Sequence, residues 1–382
     1  MQRRTRIPFT FLLLFALLLP GATAQTLRLT DSGNEPPRPF RQWGEEALGT
    51  IKEDLWLPER ELYAEKATVG QAAKDPAFMW GAGVQLTALA AAAQADPDRY
   101  IAPLRSYADA LQVYWTEHDG IGGYDVLPGP KPPDRYYDDN VWVVLALAEI
   151  HEVTQDPVYL DRAEATYRFV LSGEDEKLGG GIYWHEQSRD SKNTCSNAPA
   201  IVAALRLYQL TQEPHYLETA RRLYAWTNTH LQDEDGLYWD NIKLDGEIDE
   251  RKYSYNTALM IRANSLFYAI TGEPQYLAEA QRIARAAEAK WIVPETGGVA
   301  DGGRFAHLLL ESFLALHEQD GDSRWLEIVS NALAFVHEHV RDPNGRYASR
   351  WDRPQDDALQ GFMLLDQASA ARAYWKASLA EF

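Results

Sequence analysis

The sequence predicts an all-α fold, a barrel of six α-hairpins with short extended segments in its loops. The first observation is an internal repeat, in which an acidic residue, Pro, one variable residue and Tyr-Leu occur from Asp156, Glu213 and Glu273. The second observation is that amphipathic helices alternate along the chain with helices that are almost wholly apolar. A recurring unit that cannot bury its own apolar face predicts stacked helix pairs.

Each copy of the repeat opens an amphipathic helix. Pro is favoured in the first helical turn because its missing N–H would have no partner there. After Glu213, apolar residues recur at helical spacing from Leu217 to Leu223, while Glu218 and Arg221 occupy the opposite face. We therefore expect these helices to lie on the outside, with one solvated face.

A segment of Gly and aromatic residues follows the outer helices, as at 181–184 and 236–239. Such segments are typical of turns with short strands. The next helix is apolar on nearly every face, as at 141–150 and 198–210, which is the pattern of a buried helix. We place these helices in an inner ring.

Counting the pairs gives six hairpins. The predicted outer and inner helices are 40–57 and 76–95, 97–117 and 138–154, 158–173 and 195–212, 215–232 and 254–271, 274–291 and 303–320, and 323–341 and 356–378. We expect a closed ring, because six pairs bury an inner ring and neither end carries an obvious polar capping pair. An open solenoid is the alternative.

The first 24 residues have the pattern of a secretory signal peptide. Basic residues at positions 3, 4 and 6 precede an apolar run at 7–19, and Ala22 and Ala24 then occupy the small-residue positions of a cleavage site. The apolar run is shorter than the roughly 20 residues that a spanning helix needs. We expect cleavage near Ala24-Gln25, a secreted or periplasmic protein without a membrane span, and one domain over 25–382.

Composition and missing motifs exclude several kinds of function. With 37 basic and 56 acidic residues the net charge is −19, which disfavours nucleic acid and anionic membranes as partners. Cys195 is the only cysteine, and we interpret it as a small buried residue rather than a nucleophile. An acidic run at Asp233 resembles a calcium loop, but Ile242 stands where a bidentate Glu is needed. We expect no metal, no cofactor and a monomer.

In a closed ring all six inner helices begin at the same mouth, where the helix dipoles favour carboxylates. The second inner helix begins with Asp138 and Asp139, which makes this pair the candidate catalytic group. An adjacent Asp pair is also a common helix start, in which one residue caps the helix. Asp356 and Asp357 form a similar pair at the predicted sixth start. We interpret that pair as a helix start that lines the cleft.

Several short stretches between residues 136 and 277 resemble one family. They are Tyr-Tyr-Asp-Asp-Asn-Val-Trp at 136–142, Gly-Gly-Ile-Tyr-Trp at 180–184, Lys-Asn-Thr-Cys-Ser-Asn at 192–197, Tyr-Ser-Tyr-Asn at 253–256 and Thr-Gly-Glu-Pro-Gln-Tyr-Leu at 271–277. In this order they resemble glycoside hydrolase family 76, the endo-α-1,6-mannanases and their relatives. The resemblance implies an α/α barrel that cleaves α-1,6-mannosidic bonds in α-mannan with retention. It also implies that Asp138 is the nucleophile and Asp139 the acid/base.

Geometry places a condition on this assignment. Retaining glycosidases hold their two carboxyl groups about 5–5.5 Å apart, and inverting ones about 6.5–9.5 Å. Neighbouring side chains in a regular helix point about 100° apart. Asp138 and Asp139 can therefore converge on one bond only in the first, irregular turn of a helix.

Candidate substrate-binding residues lie at the same helix starts and in the Gly-aromatic turns. They are Tyr137, Trp184, Asn193, Asn197, Trp239, Tyr255 and Asn256. Amides there either bind sugar hydroxyls or cap helices. Aromatic rings there, including Tyr183, either stack on sugar faces or pack in the core, and we expect core packing for at least one.

Three other functions fit an α/α barrel. One is an unsaturated-uronyl hydrolase, which the acidic mouth disfavours. Another is a sugar 2-epimerase, for which His185 and His307 are the plausible pair of mouth histidines. The last is a glycan-binding protein without catalysis, in which the Asp pair only binds sugar.

Overall fold

The computed structural model describes residues 39–380 except Ala72 and Pro130, so the predicted signal peptide lies outside the described residues. Within them the chain forms six consecutive pairs of α-helices. The outer helices are α1 Phe40–Leu55, α3 Pro97–Ala110, α5 Pro157–Leu171, α7 Pro214–Leu231, α9 Pro274–Trp291 and α11 Arg324–Phe335. The inner helices are α2 Met79–Ala95, α4 Tyr137–Thr154, α6 Thr194–Thr211, α8 Ser254–Thr271, α10 Gly303–Asp320 and α12 Leu364–Ser378.

Short antiparallel strands lie in the loops between the helices. They are β1 Trp56–Leu57, β2 Leu62–Tyr63, β3 Lys66–Thr68, β4 Trp115–His118, β5 Ile121–Tyr124, β6 Ser191–Asn193, β7 Asn241–Lys243, β8 Ile248–Asp249 and β9 Gly361–Met363. The pairs are β1 with β2, β3 with β9 and β4 with β5, and β6, β7 and β8 form a three-stranded sheet.

The helix ends follow from local sequence. Four outer helices begin at a Pro in the first turn, as the repeat predicts. The Asp156 side chain caps α5 by accepting a hydrogen bond from the Val158 N–H at 3.2 Å. Gly272 ends α8 in the left-handed conformation, with φ of 69°, where the absence of a Cβ avoids strain.

The inner helices form a closed ring. Each packs against the next in chain order, from α2 to α12, and α12 packs back against α2. Closure is thus confirmed over the open solenoid, because an open array would leave α2 and α12 apart. The inner helices are buried on nearly all faces, because each packs against outer helices and its neighbours in the ring and turns its remaining face to the barrel axis. This burial agrees with their apolar sequences. Within the described part of the chain, no helix combines the length and apolarity needed to cross a membrane.

One hydrogen bond repeats around the mouth of the ring. The first backbone N–H of an inner helix donates to a residue in the loop of the following hairpin. In five hairpins the acceptor is a backbone carbonyl. The pairs, with the N–H donor first, are Met79 and Val126 (3.0 Å), Tyr137 and Trp184 (2.9 Å), Thr194 and Asp240 (2.8 Å), Gly303 and Ser349 (2.8 Å), and Leu364 and Glu65 (2.9 Å). In the remaining hairpin, Ser254 N–H donates to the Asp301 carboxylate at 2.8 Å. Each loop therefore holds one defined residue at the mouth.

The last inner helix starts later than predicted. α12 begins at Leu364, and the segment before it forms β9, which pairs with β3 from the first hairpin. Asp356 and Asp357 lie exposed in the loop before this strand. The prediction that Asp356 and Asp357 form a helix start lining the cleft is therefore wrong. The residues between this pair and α12 form β9, whose pairing with β3 joins the last hairpin to the first.

A buried ion cluster joins the inner helices below the mouth. Arg372 on α12 is 3 % exposed and donates to both carboxylate oxygens of Glu149 on α4, at 2.6 and 2.7 Å. It also contacts both oxygens of Glu311 on α10, at 2.9 and 3.1 Å, and the Thr87 carbonyl on α2, at 2.8 Å. Arg262 on α8 adds a bond to Glu311 at 3.0 Å. One guanidinium thus links four of the six inner helices.

Replacing Arg372 by Met should destabilise the fold by about 3–5 kcal/mol, because it leaves two buried carboxylates without their main partner. The free energy of unfolding in urea measures this change. The control is Arg41→Ala, which removes the ion pair between Asp96 and the half-exposed Arg41 side chain. This substitution should cost less than about 1 kcal/mol. Equal effects of the two substitutions would show that the buried cluster does not hold the ring together.

Candidate active site

A cavity of about 870 Å³ opens at the mouth of the barrel. Five inner helices contribute a side chain from their first turns, as the convergence of helix starts predicts. These side chains are Trp80 on α2, Asp138 and Asp139 on α4, Cys195 on α6, Tyr255 on α8 and Phe305 on α10. At the start of α12, Asp366 is instead bound to Arg304, at 3.0 Å. A cavity of this size is in the range that accommodates small-molecule ligands.

Asp138 and Asp139 lie in the first turn of α4 and are half-buried in the cavity wall. The Asp138 carboxylate accepts hydrogen bonds on both of its oxygens. Its Oδ2 accepts from the Trp184 indole N–H at 3.0 Å, and its Oδ1 accepts from the Asp139 backbone N–H at 3.0 Å. Burial raises the pKa of Asp138 to about 6, and these two donors and the Cys195 thiol limit the rise.

Asp139 is in a different environment. Burial raises the pKa of Asp139 well above its usual range, and the negative charges of Asp138 and Asp134 raise it further. The pair therefore titrates in two separated steps. Of the two groups, Asp138 is therefore the one that ionises more readily, and Asp139 the one that keeps its proton to higher pH.

Two groups of aromatic side chains form aromatic walls of the cavity. In one group the Phe305 ring stacks with Tyr255, with centroids 4.6 Å apart, and with Trp80, at 5.7 Å. In the other group Trp184 is 40 % exposed and meets Tyr136 edge to face at 5.0 Å. Flat apolar faces between polar groups suit sugar rings, which have apolar faces and polar edges.

The structure brings three of the seven predicted binding residues to the cavity, namely Trp184, Asn193 and Tyr255. The other four, Tyr137, Asn197, Trp239 and Asn256, do not line it. They lie behind the wall or in its supporting loops. The capping or core interpretation of these four therefore agrees better with their positions than the binding interpretation.

Three of these four residues are fully buried and hold the wall in place. Tyr137 stacks on Phe169, and its hydroxyl accepts from Arg189 at 2.9 Å. The Asn197 amide bonds the Ile182 N–H and carbonyl at 2.7 and 2.9 Å, which ties a loop to α6. The Asn256 amide donates to Asp240, at 3.4 Å.

Trp239 fails as a cavity residue because the repeat is offset by one position. By sequence, Gly181-Ile-Tyr-Trp184 aligns with Gly236-Leu-Tyr-Trp239. By hydrogen bonding, Trp239 corresponds to the buried Tyr183. The Trp239 N–H donates to the carbonyl of Leu231 at the end of α7, and the Tyr183 N–H donates to the carbonyl of Gly173, just after α5. Asp240 then corresponds to Trp184 and lines the cavity. In extended chain a shift of one residue turns a side chain to the opposite face.

Asp240, Trp80 and Phe305 are cavity residues that the sequence reasoning missed. Trp80 and Phe305 lie in the first turns of inner helices, so the rule that found the Asp pair could have found them. Asp240 directly follows a predicted residue, and burial raises its pKa. Only the hydrogen-bond register of the loop distinguishes it from Trp239.

The histidines that an epimerase would need are not assembled at the cavity. His185 bonds Asp134 at 2.9 Å in a rim loop. His307 is buried on the barrel axis below the cavity, where its Nδ1 lies 3.0 Å from the Gly303 carbonyl. Burial lowers the pKa of His307 to about 4. The two rings therefore have different surroundings and do not form a catalytic pair.

Cys195 lines the cavity as a neutral thiol, because burial raises its pKa well above the usual range. This environment is opposite to that of a nucleophilic cysteine, whose pKa is lowered. Among the described residues, no group of three or more His, Cys, Asp and Glu side chains is arranged to bind a metal ion.

An α/α barrel with paired carboxyl groups at its mouth fits the class of glycosidases. The chain belongs to glycosyl hydrolase family 76, whose sequence profile matches residues 59–379. A family 76 α-mannanase from Bacteroides thetaiotaomicron has a similar structure, with a TM-score of 0.85 and 33 % identity over 89 % of this chain and 96 % of that one.

Other relatives are more distant. The mannan endo-1,6-alpha-mannosidase of Candida glabrata is 27 % identical over 154 residues, which are 37 % of this chain, and the chain spans only 30 % of that protein. A cellobiose 2-epimerase from Spirochaeta thermophila matches with a TM-score of 0.69 at 15 % identity, which shows a shared fold alone.

Replacing Asp139 by Asn should make the protein more stable at pH 7. A carboxyl group whose folded pKa lies above its unfolded value stabilises the fold while protonated, and this contribution is lost as the pH rises above the unfolded pKa of about 4. Asn cannot ionise, so the variant avoids that loss. Thermal unfolding at pH 7 and pH 4 measures the difference, which should shrink at pH 4. A variant less stable than the parent at pH 7 would contradict the raised pKa.

Proposed function

We propose that this protein hydrolyses α-1,6-mannosidic bonds in α-mannan with retention, with Asp138 as nucleophile and Asp139 as general acid and base. The observation that carries this proposal is the unequal environment of two adjacent carboxyl groups. Asp138 accepts hydrogen bonds on both oxygens, whereas burial and neighbouring charges favour the protonated form of Asp139. A retaining glycosidase needs one ionised and one protonated carboxyl group.

In the first step, the Asp138 carboxylate attacks the anomeric carbon while Asp139 gives its proton to the departing glycosidic oxygen. This forms a covalent bond between Asp138 and the sugar and leaves Asp139 ionised. In the second step, Asp139 removes a proton from water, and the resulting oxygen attacks the anomeric carbon and releases Asp138. The proton balance of Asp139 is restored after each turnover.

The choice of substrate rests on the cavity and on relatives. Aromatic walls and a net charge of −19 favour a neutral glycan over a uronate. The named relative from Candida glabrata is a mannan endo-1,6-alpha-mannosidase, and the similar structure from Bacteroides thetaiotaomicron is an α-mannanase. The proposed setting is secreted or periplasmic, from the pattern of the first 24 residues, with the protein acting as a monomer.

Asp138→Asn and Asp139→Asn should each lower turnover of linear α-1,6-mannan by about 10²–10⁴-fold or more, because each removes a group that reacts. Release of reducing ends measures turnover. Asp356→Asn is the matched control, since Asp356 is exposed and outside the cavity, and it should leave turnover unchanged. Loss of activity in the control, with normal thermal stability, would show that the catalytic pair is wrongly assigned.

Activity should follow a bell-shaped pH profile. It should fall as the pH drops through about 6, where Asp138 becomes protonated. It should fall again at higher pH, where Asp139 loses the proton it must donate. Initial rates at low substrate concentration between pH 4 and 10 test this expectation. An acid limb with its midpoint near the ordinary Asp value of about 4 would contradict the assigned environment of Asp138.

Azide distinguishes the roles of the two carboxyl groups. With Asp138→Gly, azide should restore turnover of an activated α-mannoside and give the inverted glycosyl azide, because the anion attacks from the vacated side. With Asp139→Ala, activity should persist only on substrates with good leaving groups, and azide should give the retained product. Inverted product from the Asp139 variant would exchange the two roles.

A further inference from the structure

We propose that Trp184 is a positioning residue for Asp138, whose carboxylate its indole N–H orients for attack, in addition to being part of the cavity wall. The inference rests on the proposed role of Asp138 as nucleophile. It adds a residue that acts on the reaction through another side chain.

Two hydrogen-bond donors hold the carboxylate of Asp138. The Trp184 indole binds Oδ2 at 3.0 Å, and the Asp139 backbone N–H binds Oδ1 at 3.0 Å. Two donors on different oxygens fix the plane of the carboxylate. The backbone donor is present whatever side chain stands at 139, so the indole is the donor that depends on sequence.

The loop that holds Trp184 is fixed to the start of α4. The backbone carbonyl of Trp184 accepts a hydrogen bond at 2.9 Å from the N–H of Tyr137, the residue before Asp138. The backbone N–H of Trp184 donates to the Ser191 carbonyl at 3.2 Å. In the same loop Glu186 bonds the buried Arg135 at 2.5 and 2.7 Å. The indole is therefore held at a defined position, as a positioning group requires.

Asp138 has several titratable neighbours. They are Asp139 on its own helix, Tyr136 before it, Cys195 on α6 and Tyr255 on α8, with Asp134 and Asp240 further along the cavity wall. The cations of the wall, Lys131, Lys243 and Arg251, pair with Asp125, Glu247 and Asp249. Burial disfavours the charged form of Asp138, and the hydrogen bonds from Trp184 and Cys195 oppose that effect. Because the Trp184 ring borders the cavity, a bound sugar would exclude water from this bond and strengthen it.

Nuclear magnetic resonance of the indole N–H groups tests the proposal without any assay of activity. In the ¹⁵N-labelled protein, one indole cross-peak should shift with a midpoint near pH 6, the pKa of Asp138. Trp184→Phe should remove that cross-peak, and in Asp138→Asn the cross-peak should remain without titrating. Trp239→Phe, which changes a tryptophan outside the cavity, should remove a different cross-peak. A Trp184 cross-peak that does not titrate would overturn the proposal.

Kinetics then separate positioning from stacking. Trp184→Phe keeps an aromatic face and removes the donor, so kcat on α-1,6-mannan should fall about tenfold or more while KM changes little. The acid limb of its pH profile should move to higher pH, and Trp239→Phe should alter neither. A raised KM with unchanged kcat and acid limb would overturn the proposal in favour of simple stacking. If the cross-peak titrates as expected but no mannan is cleaved, the hydrogen bond stands and the proposed function fails.

Discussion

The first backbone N–H of each inner helix is the group on which the arrangement of the mouth depends. In an isolated helix this N–H has no partner. Here it bonds the loop of the following hairpin, and the bond from Leu364 to Glu65 closes the circle. The fold thereby satisfies a buried donor and fixes one loop residue beside each helix start. Trp184 lies beside Asp138, and Asp240 beside Cys195, because of this constraint.

The interior of the ring carries two kinds of charge with opposite consequences. Around Arg372, carboxylates and guanidinium groups neutralise one another, and the Arg372 guanidinium alone ties four inner helices together. At the mouth, the lysine and arginine side chains that line the cavity pair with other carboxylates, and burial raises the pKa of both Asp138 and Asp139. The site therefore costs stability, which the rest of the ring offsets. A strained pair of this kind is typical of a catalytic centre.

Most of the fold could be predicted from the sequence because helical repeats express local rules. Pro at outer helix starts and the apolar inner helices located six hairpins, and the convergence of inner helix starts located Asp138 and Asp139. Two errors came from contacts between distant segments. The pairing of β9 with β3 delays α12 past Asp356. The one-residue offset that exchanges Trp239 for Asp240 is visible in two hydrogen bonds, from the Trp239 N–H to Leu231 in its own hairpin and from the Thr194 N–H of the preceding hairpin to Asp240, which no local pattern shows.

The central claim is that Asp138 forms a covalent bond with the sugar while Asp139 handles the proton. Trapping the glycosyl-enzyme with a 5-fluoro mannosyl fluoride tests it most directly. The fluorine at C5 slows release of the intermediate more than its formation, because formation has the help of the fluoride leaving group. The account predicts one added sugar per protein by mass spectrometry, and fragmentation of the labelled peptide should place it on Asp138. A label on Asp139, or an inverted product with no labelled protein during turnover, would contradict the account.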